Sequence, residues 1–374
     1  MNVKIPSSSL HLNMVLKVAI NGFGRVGRLI FRALRRYYPR EIEVVAVHDL
    51  CDIHTNIHLL FYDSAHKKFP EQVTITHEDT FEVGTGSHKW VVKNLTGKLG
   101  PSELPWAELG VDVVVESTGL FRSHSVKKED GSLEKDGYDG HIQAGAKKVI
   151  LSVNPTDRIE STIVLGANDE DLTPETQFIS ISTCTTNCLA PVLKILNDHF
   201  SIKDGFVTAV HSYTPDQVVS DVMHKDIRRA RAAGQNIIPS VTGAILGVKR
   251  VVKNLTRGCL NGISLRVPTV TGSLVDITVN TRDEVTVEQV NEVFREASQT
   301  KELHPFVDYT DEPIVSSDII DNPHSAVIDT LSTMVIKNED LGGSLVKVLA
   351  WYDNEWMYSC RCADVVHRIS HFLQ

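Results

Sequence analysis

The chain has 374 residues, of which 42% are hydrophobic and 23% charged, as is typical of a globular protein with room for two domains. The net charge of −9 argues against a dedicated nucleic-acid-binding protein, and no apolar run is long enough to span a membrane. Six irregularly spaced cysteines without a secretion signal predict free thiols and a cytoplasmic location.

Residues 1–14 form an N-terminal extension before the first predicted strand. The segment MNVKIPSSSLHLNM is short and lacks the apolar run of a secretory signal. We interpret it as a disordered tail. A weak targeting segment, and a translation start at Met14, are the alternatives.

A strand at residues 18–20 leads into GFGRVG at 22–27, and apolar residues at helical spacing follow. Gly22 allows a sharp turn, Gly24 allows a pyrophosphate to approach the backbone, and Gly27 allows the helix to pack closely on the strand. The helix N-terminus offers unpaired N–H groups to phosphates. This pattern predicts a Rossmann dinucleotide-binding domain, and a glycine turn in an ordinary βαβ unit is the alternative.

Asp49 decides which dinucleotide we expect. It lies just past a predicted second strand at residues 42–47 and 22 residues after Gly27. A carboxylate there can accept hydrogen bonds from a ribose diol and would repel a 2′-phosphate, which favours NAD over NADP.

The α/β pattern continues with predicted strands at residues 111–116, 148–151 and 163–165. Between them, residues 123–143 are polar and glycine-rich, which indicates a surface excursion within the domain.

The segment STCTTNC at 182–188 follows a predicted strand at 177–182 and precedes a helical pattern. Cys184 should therefore lie in the first turn of a helix, whose N-terminus lowers the pKa of a thiol. Cys188 falls one turn further on the same face. A metal site is disfavoured because no second Cys/His pair has matching spacing. The segment alone leaves a helix cap and a nucleophile equally open.

Other polar residues follow later strands. His211 ends one predicted strand and is either structural or the base that a catalytic thiol needs. Arg266 lies within an apolar strand, where it requires an anion or a carboxylate partner. The turn WYDNEW after the last strand either binds a carboxamide and a ring or caps the final helix, predicted at residues 358–373.

Six segments in this order resemble the phosphorylating glyceraldehyde-3-phosphate dehydrogenases: NGFGRVGR, STCTTNCLAP, HSYT, HKDIRRARAAGQNIIP, RVPT and WYDNEW. The resemblance covers nearly the whole chain from about Val15. It implies an α/β protein with an NAD-binding Rossmann domain at 15–183 and an α+β catalytic domain with a mostly antiparallel sheet at 184–350. The last helix, within 351–374, would pack back on the first domain. A homotetramer is also implied, with residues 212–238 as an S-shaped loop near the neighbouring subunit's cofactor.

The resemblance implies oxidation of glyceraldehyde 3-phosphate to 1,3-bisphosphoglycerate with NAD and inorganic phosphate, in glycolysis or gluconeogenesis. Cys184 would form a thiohemiacetal and then a thioester, and His211 would accept the thiol proton. The implied cofactor contacts are Gly22, Gly24, Arg25, Val26, Gly27, Asp49, Ser152, Asn354 and Tyr358. The implied contacts of the substrate phosphate are Thr214, Asp216 and Arg266, and those of the attacking phosphate are Thr183, Thr185, Arg229, Thr242 and Gly243.

The sequence departs from the family pattern in places. Thr183 and Met357 stand where serine and glycine are usual. Residues 221–223, Asp-Val-Met, replace a Leu-Pro typical of NAD-specific bacterial members and leave NADP use open. An arginine near the adenine is missing, and the excursion at 123–143 is longer than usual.

Two other functions compete with this one. Erythrose-4-phosphate dehydrogenase is a close relative, but HSYT and VTGA keep phosphate-site threonines that it tends to alter. A non-catalytic NAD-binding regulator of the same fold is disfavoured because Cys184, His211 and Asn354 are all present together with Arg229 and Arg266.

Overall fold

A computed structural model describes residues 15–255, 258–338, 340 and 342–373, so the predicted extension at 1–14 lies outside the described residues. The strands are β1 (Leu16–Asn21), β2 (Ile42–Asp49), β3 (Val73–His77), β4 (Thr80–Val83), β5 (Trp90–Thr96), β6 (Val113–Glu116), β7 (Val126–Lys127), β8 (Leu133–Lys135), β9 (Lys148–Leu151), β10 (Ser161–Thr162), β11 (Phe178–Ser180), β12 (Ile202–Ser212), β13 (Ile238–Ser240), β14 (Leu260–Val267), β15 (Ser273–Thr281), β16 (Val307–Thr310), β17 (Ala326–Lys337) and β18 (Ser344–Tyr352). The helices are α1 (Arg25–Tyr37), α2 (Ile53–Phe61), α3 (Trp106–Leu109), α4 (Gly140–Gln143), α5 (Cys184–Phe200), α6 (Ala244–Val251), α7 (Val287–Gln299) and α8 (Trp356–Ser370).

The N-terminal half forms a nine-stranded sheet in the order β10-β11-β9-β6-β1-β2-β5-β4-β3. The pairings from β10 to β5 are parallel, and β4 and β3 add an antiparallel edge. The four residues of β6 are all buried, as expected for a strand covered on both faces. The strand order reverses between β1 and β6, and such a switch point opens a crevice at the carboxyl ends of the strands. The predicted Rossmann fold is confirmed.

The C-terminal half forms a seven-stranded sheet in the order β13-β14-β12-β15-β18-β17-β16. Four of its six pairings are antiparallel, and β12–β14 and β16–β17 are parallel, so the predicted mostly antiparallel sheet is confirmed. In β15 and β18, buried and half-buried residues alternate, as in a sheet that faces the core on one side. Helix α5 packs against this sheet.

Two details of the sequence prediction were wrong. Asp49 is the last residue of β2, because the strand continues in register with β5 as far as Thr96. Residues 163–165 form no strand, although they are buried: the sheet ends at Thr162, and Ile163 makes one last bond, from its N–H to the Ser180 carbonyl. Within residues 123–143 lie the short exposed hairpin β7–β8 and helix α4.

The last helix packs against the first. The Tyr38 hydroxyl, just after α1, donates to Asp364 of α8 at 2.5 Å, and the Tyr38 and His367 rings stack with centroids 4.1 Å apart. Helix α8 begins at Trp356, two residues earlier than predicted, because Asp353 accepts hydrogen bonds from the Glu355 and Trp356 N–H groups. Within the described part of the chain, no helix combines the length and apolar character needed to cross a membrane.

Candidate active site

The three motif glycines occupy three different environments. Gly22 has a φ of +92°, and a Cβ on it would lie 2.5 Å from the Thr118 backbone nitrogen. A Cβ on Gly27 would lie 2.1 Å from the Gly22 carbonyl oxygen. Gly24 has no heavy atom within 4 Å of its Cβ position and faces open space. A turn at Gly22, an open approach at Gly24 and a close packing contact at Gly27 thus occur in the predicted order.

A cleft of about 500 Å³ lies at this edge of the sheet, between the turns after β1, β2, β5 and β6. Asp49 and Leu50 line it together with residues 97–100, 117–118 and 120–121. The first-turn N–H groups of α1 have no acceptors within the helix and can bind an anion at the motif. An open glycine, helix amides and a carboxylate form a donor and acceptor set that fits a dinucleotide.

Other residues predicted to contact the cofactor differ in which of their groups already have contacts within the protein. The backbone N–H of Ser152 donates to the Glu116 carbonyl at 3.0 Å, at the same carboxyl edge of the sheet. The Val26 side chain packs on the hydrophobic core, so only its backbone is available. The Arg25 guanidinium is held by ion pairs with Asp63 and Glu355.

The turn that precedes α5 contains the helix cap that was one of the two interpretations of STCTTNC. Ser182 has a φ of +57°, and Thr183 caps the helix by accepting a hydrogen bond from the Thr186 N–H at 3.1 Å. Cys184 is therefore the first helical residue. The buried Tyr358 hydroxyl donates to the Ser182 carbonyl at 3.1 Å, which ties α8 to this turn.

Cys184 lies next to His211, with 3.3 Å between Sγ and Nε2. The other ring nitrogen of His211, Nδ1, is 2.6 Å from the Ser212 carbonyl, which can only accept. Nη1 of Arg266, which only donates, also lies 3.1 Å from Nδ1, but its two protons have acceptors in the Ser212 carbonyl and the Thr214 hydroxyl, at 3.3 and 3.1 Å. The shorter contact, to the carbonyl, therefore places the proton on Nδ1 and leaves the Nε2 lone pair facing the thiol. Burial, and then the charge of Arg266, lower the pKa of His211 to about 3. The imidazole is therefore neutral at physiological pH and can accept a proton.

The pKa of the Cys184 thiol differs from the prediction. Burial raises the pKa of Cys184, and the opposing effects of Arg266 and of a hydrogen bond with Thr185 are smaller. The predicted lowering of the thiol pKa by the helix N-terminus was therefore wrong for this geometry. The raised pKa keeps the proton on sulfur, and a transfer to Nε2 of His211 would be favoured by the attraction between the resulting thiolate and imidazolium.

Two arginines converge on the loop after β12. Nη1 of Arg266 donates to the Thr214 hydroxyl at 3.1 Å, the Thr214 hydroxyl donates to Asp216, and Arg229 forms an ion pair with Asp216. The Nε–H groups of both arginines are buried and have no hydrogen-bond acceptor among the described residues. Buried donors of this kind require an acceptor, and a phosphate would supply it. Arg229 thus lies with Thr214 and Asp216, although we predicted it in the other phosphate set.

Thr185 and Thr242, which we also predicted at the phosphate site, form their hydrogen bonds with residues outside the predicted set. The Thr185 hydroxyl lies 3.0 Å from the Tyr352 hydroxyl. Thr242 accepts a hydrogen bond from the Ala244 N–H at 3.2 Å at the start of α6.

Gly243 lies next to Asn154, which in turn contacts the turn before α5. A Cβ on Gly243 would lie 3.2 Å from the side-chain nitrogen of Asn154, whose oxygen accepts from the Ser182 hydroxyl at 2.9 Å. The structure shows no direct contact between Gly243 and Cys184 among the residues it describes.

The side-chain amide of Asn354 has a defined orientation. Its Oδ1 accepts hydrogen bonds from the hydroxyls of Ser212 and Ser273, at 2.7 and 2.9 Å. Within the described residues, the Nδ2 group donates to no protein acceptor and remains able to donate to a ligand.

Sequence reasoning missed several residues that shape the site. The Tyr352 ring packs edge-on to His211, with centroids 6.1 Å apart, and its hydroxyl meets Thr185. Ser273 orients Asn354 from a different strand. Tyr352 directly precedes DNEW and could have been found there, whereas no local pattern distinguishes Ser273.

Comparisons with known proteins agree with this geometry. Residues 16–124 match the family model described as glyceraldehyde 3-phosphate dehydrogenase, NAD binding domain, and residues 183–354 match the model of the C-terminal domain. Curated relatives named glyceraldehyde-3-phosphate dehydrogenase come from Borreliella burgdorferi, with 45% identity over 95% of this chain and 99% of the relative, and from Mycobacterium avium, with 46% identity over 94% and 98%. A Bacillus subtilis protein named glyceraldehyde-3-phosphate dehydrogenase 2 is 45% identical over 96% of this chain and 97% of its own. The chain therefore belongs to the glyceraldehyde-3-phosphate dehydrogenase family, a family of NAD-dependent oxidoreductases.

Proposed function

We propose that this protein oxidises glyceraldehyde 3-phosphate to 1,3-bisphosphoglycerate with NAD and inorganic phosphate. The relatives' name supplies the substrate. The observation that carries the proposal is the 3.3 Å contact between Sγ of Cys184 and Nε2 of a neutral His211 at the first turn of α5.

The first step is attack by Cys184 on the aldehyde carbon. As the C–S bond forms, the thiol proton moves to Nε2 of His211, the C=O π bond opens, and the aldehyde oxygen becomes the oxyanion of a thiohemiacetal. Nδ1–H of His211 stays bonded to the Ser212 carbonyl, so the ring keeps its orientation while it carries the second proton.

NAD, when bound, supplies the hydride acceptor that oxidation of the thiohemiacetal to a thioester requires. The protein's part is to hold the cofactor in reach of Cys184. The free Nδ2 group of Asn354 supports contact with the nicotinamide carboxamide, and Tyr358 fixes the neighbouring turn. Asp49, Ser152, the backbone of Arg25 and Val26, and the three motif glycines would hold the rest of the cofactor.

One oxygen of inorganic phosphate then bonds to the thioester carbon and the phosphate loses its proton to solvent. The C–S bond breaks, and the sulfur of Cys184 leaves as a thiolate that takes back the proton held on Nε2 of His211. We assign this phosphate to a subsite formed by Thr183, Thr185, Thr242 and Gly243.

The phosphate on C3 of the substrate is assigned to Arg266, Arg229 and Thr214. The buried Nε–H groups of the two arginines support this assignment, because a phosphate would satisfy both. Asp216 holds Arg229 and Thr214 in place.

We also propose the two-domain division expected from the sequence, with cofactor binding at 15–183 and catalysis at 184–350. The packing of α8 on α1 supports a return of the chain end to the first domain. A cytoplasmic location is supported by the cysteines, since all six, each within the described residues, are free thiols.

A homotetramer is part of the proposal. Phe206 on the open face of the second sheet is 70% exposed, and Val219 and Met223 in the loop after β12 are 90% and 98% exposed. These exposed apolar side chains are available to pack at an interface with a second subunit. Sedimentation equilibrium tests the assembly, and a monomer at micromolar concentration would reject it.

The proposed reaction is tested by steady-state assays of the purified protein with glyceraldehyde 3-phosphate, NAD or NADP, and with or without phosphate. We expect acyl phosphate to form only in the presence of phosphate, and NAD to give the higher kcat/KM. A much higher kcat/KM with erythrose 4-phosphate would replace the substrate. No turnover of either aldehyde would leave only a cofactor-binding role.

A further inference from the structure

An ion-pair cluster joins the glycine motif to the turn that carries Asn354. Its members are Arg25, Asp63 and His66 from the N-terminal half and Asp321 and Glu355 from the C-terminal half. The contacts between the two halves join residues that are far apart in the sequence. Arg25 and Glu355, for example, are separated by 330 positions.

Arg25, the first residue of α1, occupies one corner of the cluster. Two of its nitrogens donate to the Asp63 carboxylate at 3.0 and 3.1 Å, and Nη2 also donates to Oε2 of Glu355 at 2.6 Å. Asp63 in turn accepts the backbone N–H groups of Ala65 and His66, each at 2.9 Å. The segment that carries His66 is thereby attached to the start of α1.

His66 occupies the opposite corner. Its Nδ1 lies 2.6 Å from Oδ1 of Asp321, and its Nε2 lies 3.1 Å from Oε2 of Glu355. A carboxylate oxygen only accepts, so both ring nitrogens carry protons and the ring is a cation. Burial disfavours that charge, but the hydrogen bonds to Asp321 and Glu355 outweigh burial and raise the pKa of His66 to about 9.

The turn next to Glu355 is attached to the same cluster. Asp353 accepts the backbone N–H groups of Glu355 and Trp356, at 2.9 and 3.0 Å, and that of Asp321 at 2.9 Å. Asn354 lies between Asp353 and Glu355, so the backbone that carries its amide is held on both sides.

We propose that His66 is a positioning residue for the NAD site: as a cation it holds the 353–355 turn against the N-terminus of α1. The inference rests on the proposed function, in which Asn354 binds the nicotinamide end of NAD and the start of α1 binds the pyrophosphate. His66 thus sets the distance between two groups that grip one ligand, without contacting that ligand.

The direct test compares His66→Gln with His124→Gln. Glutamine removes the charge but keeps a donor, whereas His124→Gln removes a half-exposed His–Asp pair, with Asp157, outside the cluster. We expect the NAD dissociation constant of His66→Gln, measured by calorimetry at pH 7.5, to rise about tenfold, within the usual range for coupling between sites. KM for NAD should rise in parallel with little change in kcat, and His124→Gln should bind NAD like the unmodified protein. Unchanged NAD affinity in a folded His66→Gln would overturn the proposal.

A pH series gives a second readout that a purely structural role would not produce. The groups facing the His66 ring are Asp321, Asp353 and Glu355, and Arg25 lies behind Glu355. In a Cys184→Ser background, where the thiol cannot titrate, NAD affinity should weaken as pH rises through about 9. His66→Gln should show no such transition.

If His66→Gln fails to fold, Asp321→Asn provides a second test. The Asp321 side chain is 37% exposed, so this substitution should disturb folding less. The bond to Asp321 is the largest of the effects that raise the pKa of His66, so this variant should move the transition to lower pH. A transition at the original pH would reject the proposal.

The two proposals fail in different ways. Wild-type protein that binds NAD but oxidises neither aldehyde would reject the proposed function and leave the His66 result readable in binding alone. Active wild-type protein with a normal His66→Gln dissociation constant for NAD would reject only the inference.

Discussion

Two buried histidines in this molecule have pKa values displaced in opposite directions. His211 has Arg266 and a backbone carbonyl as its close polar neighbours, besides the thiol, and its pKa falls to about 3. His66 faces the carboxylates of Asp321 and Glu355, and its pKa rises to about 9. Burial opposes the charged ring at both places, so the neighbours decide the sign. The His211 ring is therefore neutral, as the proposed base requires, and the His66 ring is a cation, as the proposed anchor requires.

The catalytic side of the comparison depends on a single sulfur. Cys184→Ser should lower the rate of aldehyde oxidation by about 10⁴-fold or more, because a hydroxyl is a far weaker nucleophile at this site. Steady-state assays measure the effect, and Cys51→Ser serves as the control, since Cys51 is a half-buried free thiol two residues beyond β2. Activity of Cys184→Ser within tenfold of the unmodified protein would contradict the assigned role.

The role of His211 as a neutral base predicts the next largest effect. His211→Asn should slow oxidation by about 10²- to 10⁴-fold, the usual range for a positioned acid–base group. His66→Gln is the informative control, because it removes a histidine of opposite pKa and should raise KM for NAD while kcat changes little. A His211→Asn variant with full activity would remove the contrast between the two regions.

Substitution of Arg266 is expected to change both substrate binding and the pKa of His211. Arg266→Gln should raise KM for glyceraldehyde 3-phosphate by about 10²-fold, as expected when a buried arginine no longer pairs with a phosphate. Removal of its charge should also raise the pKa of His211, because Arg266 is the second cause of its depression after burial. Substrate kinetics and histidine titration by NMR measure the two effects. An unchanged KM would place the substrate phosphate elsewhere.

Part of this comparison could be predicted from the sequence and part could not. The spacing of Gly22, Gly24 and Gly27 determines a local turn, and the structure has the predicted environments in order. Cys184 at a helix start was also predictable, because strand, cap and helix are adjacent in the chain. The lowered thiol pKa was wrong, because the burial that raises it comes from the surrounding tertiary structure.

The ion-pair cluster was beyond sequence reasoning for a related reason. The acceptors of His66 lie 255 and 289 residues away, and nothing near AHKKF distinguishes a histidine that binds carboxylates from one that does not. His211 was found because a nucleophile needs a base, which is a chemical requirement and not a pattern. Residues that only position others carry no such requirement in the sequence.

The smallest expected effect is a change in the pH dependence of the free energy of unfolding, and it tests both histidines. An unfolded histidine has a pKa of about 6.5, so the raised pKa of His66 means that the folded state binds more protons at this site. Its stabilisation is complete below about pH 6.5 and is lost as pH rises towards 9. The lowered pKa of His211 has the opposite sign: stability is complete above about pH 6.5 and is lost as pH falls towards 3.

Urea unfolding at fixed protein concentration should resolve these two slopes. Between pH 6.5 and 9.5, the free energy of unfolding of the unmodified protein should fall by about 3 kcal/mol more than that of His66→Gln. Between pH 6.5 and 4.5 it should fall by about 2 kcal/mol more than that of His211→Asn. Comparison with each variant cancels the carboxylates, which titrate in both proteins. Equal slopes in the alkaline range would mean that His66 is neutral in the folded state, and the contrast between a base and an anchor would then be lost.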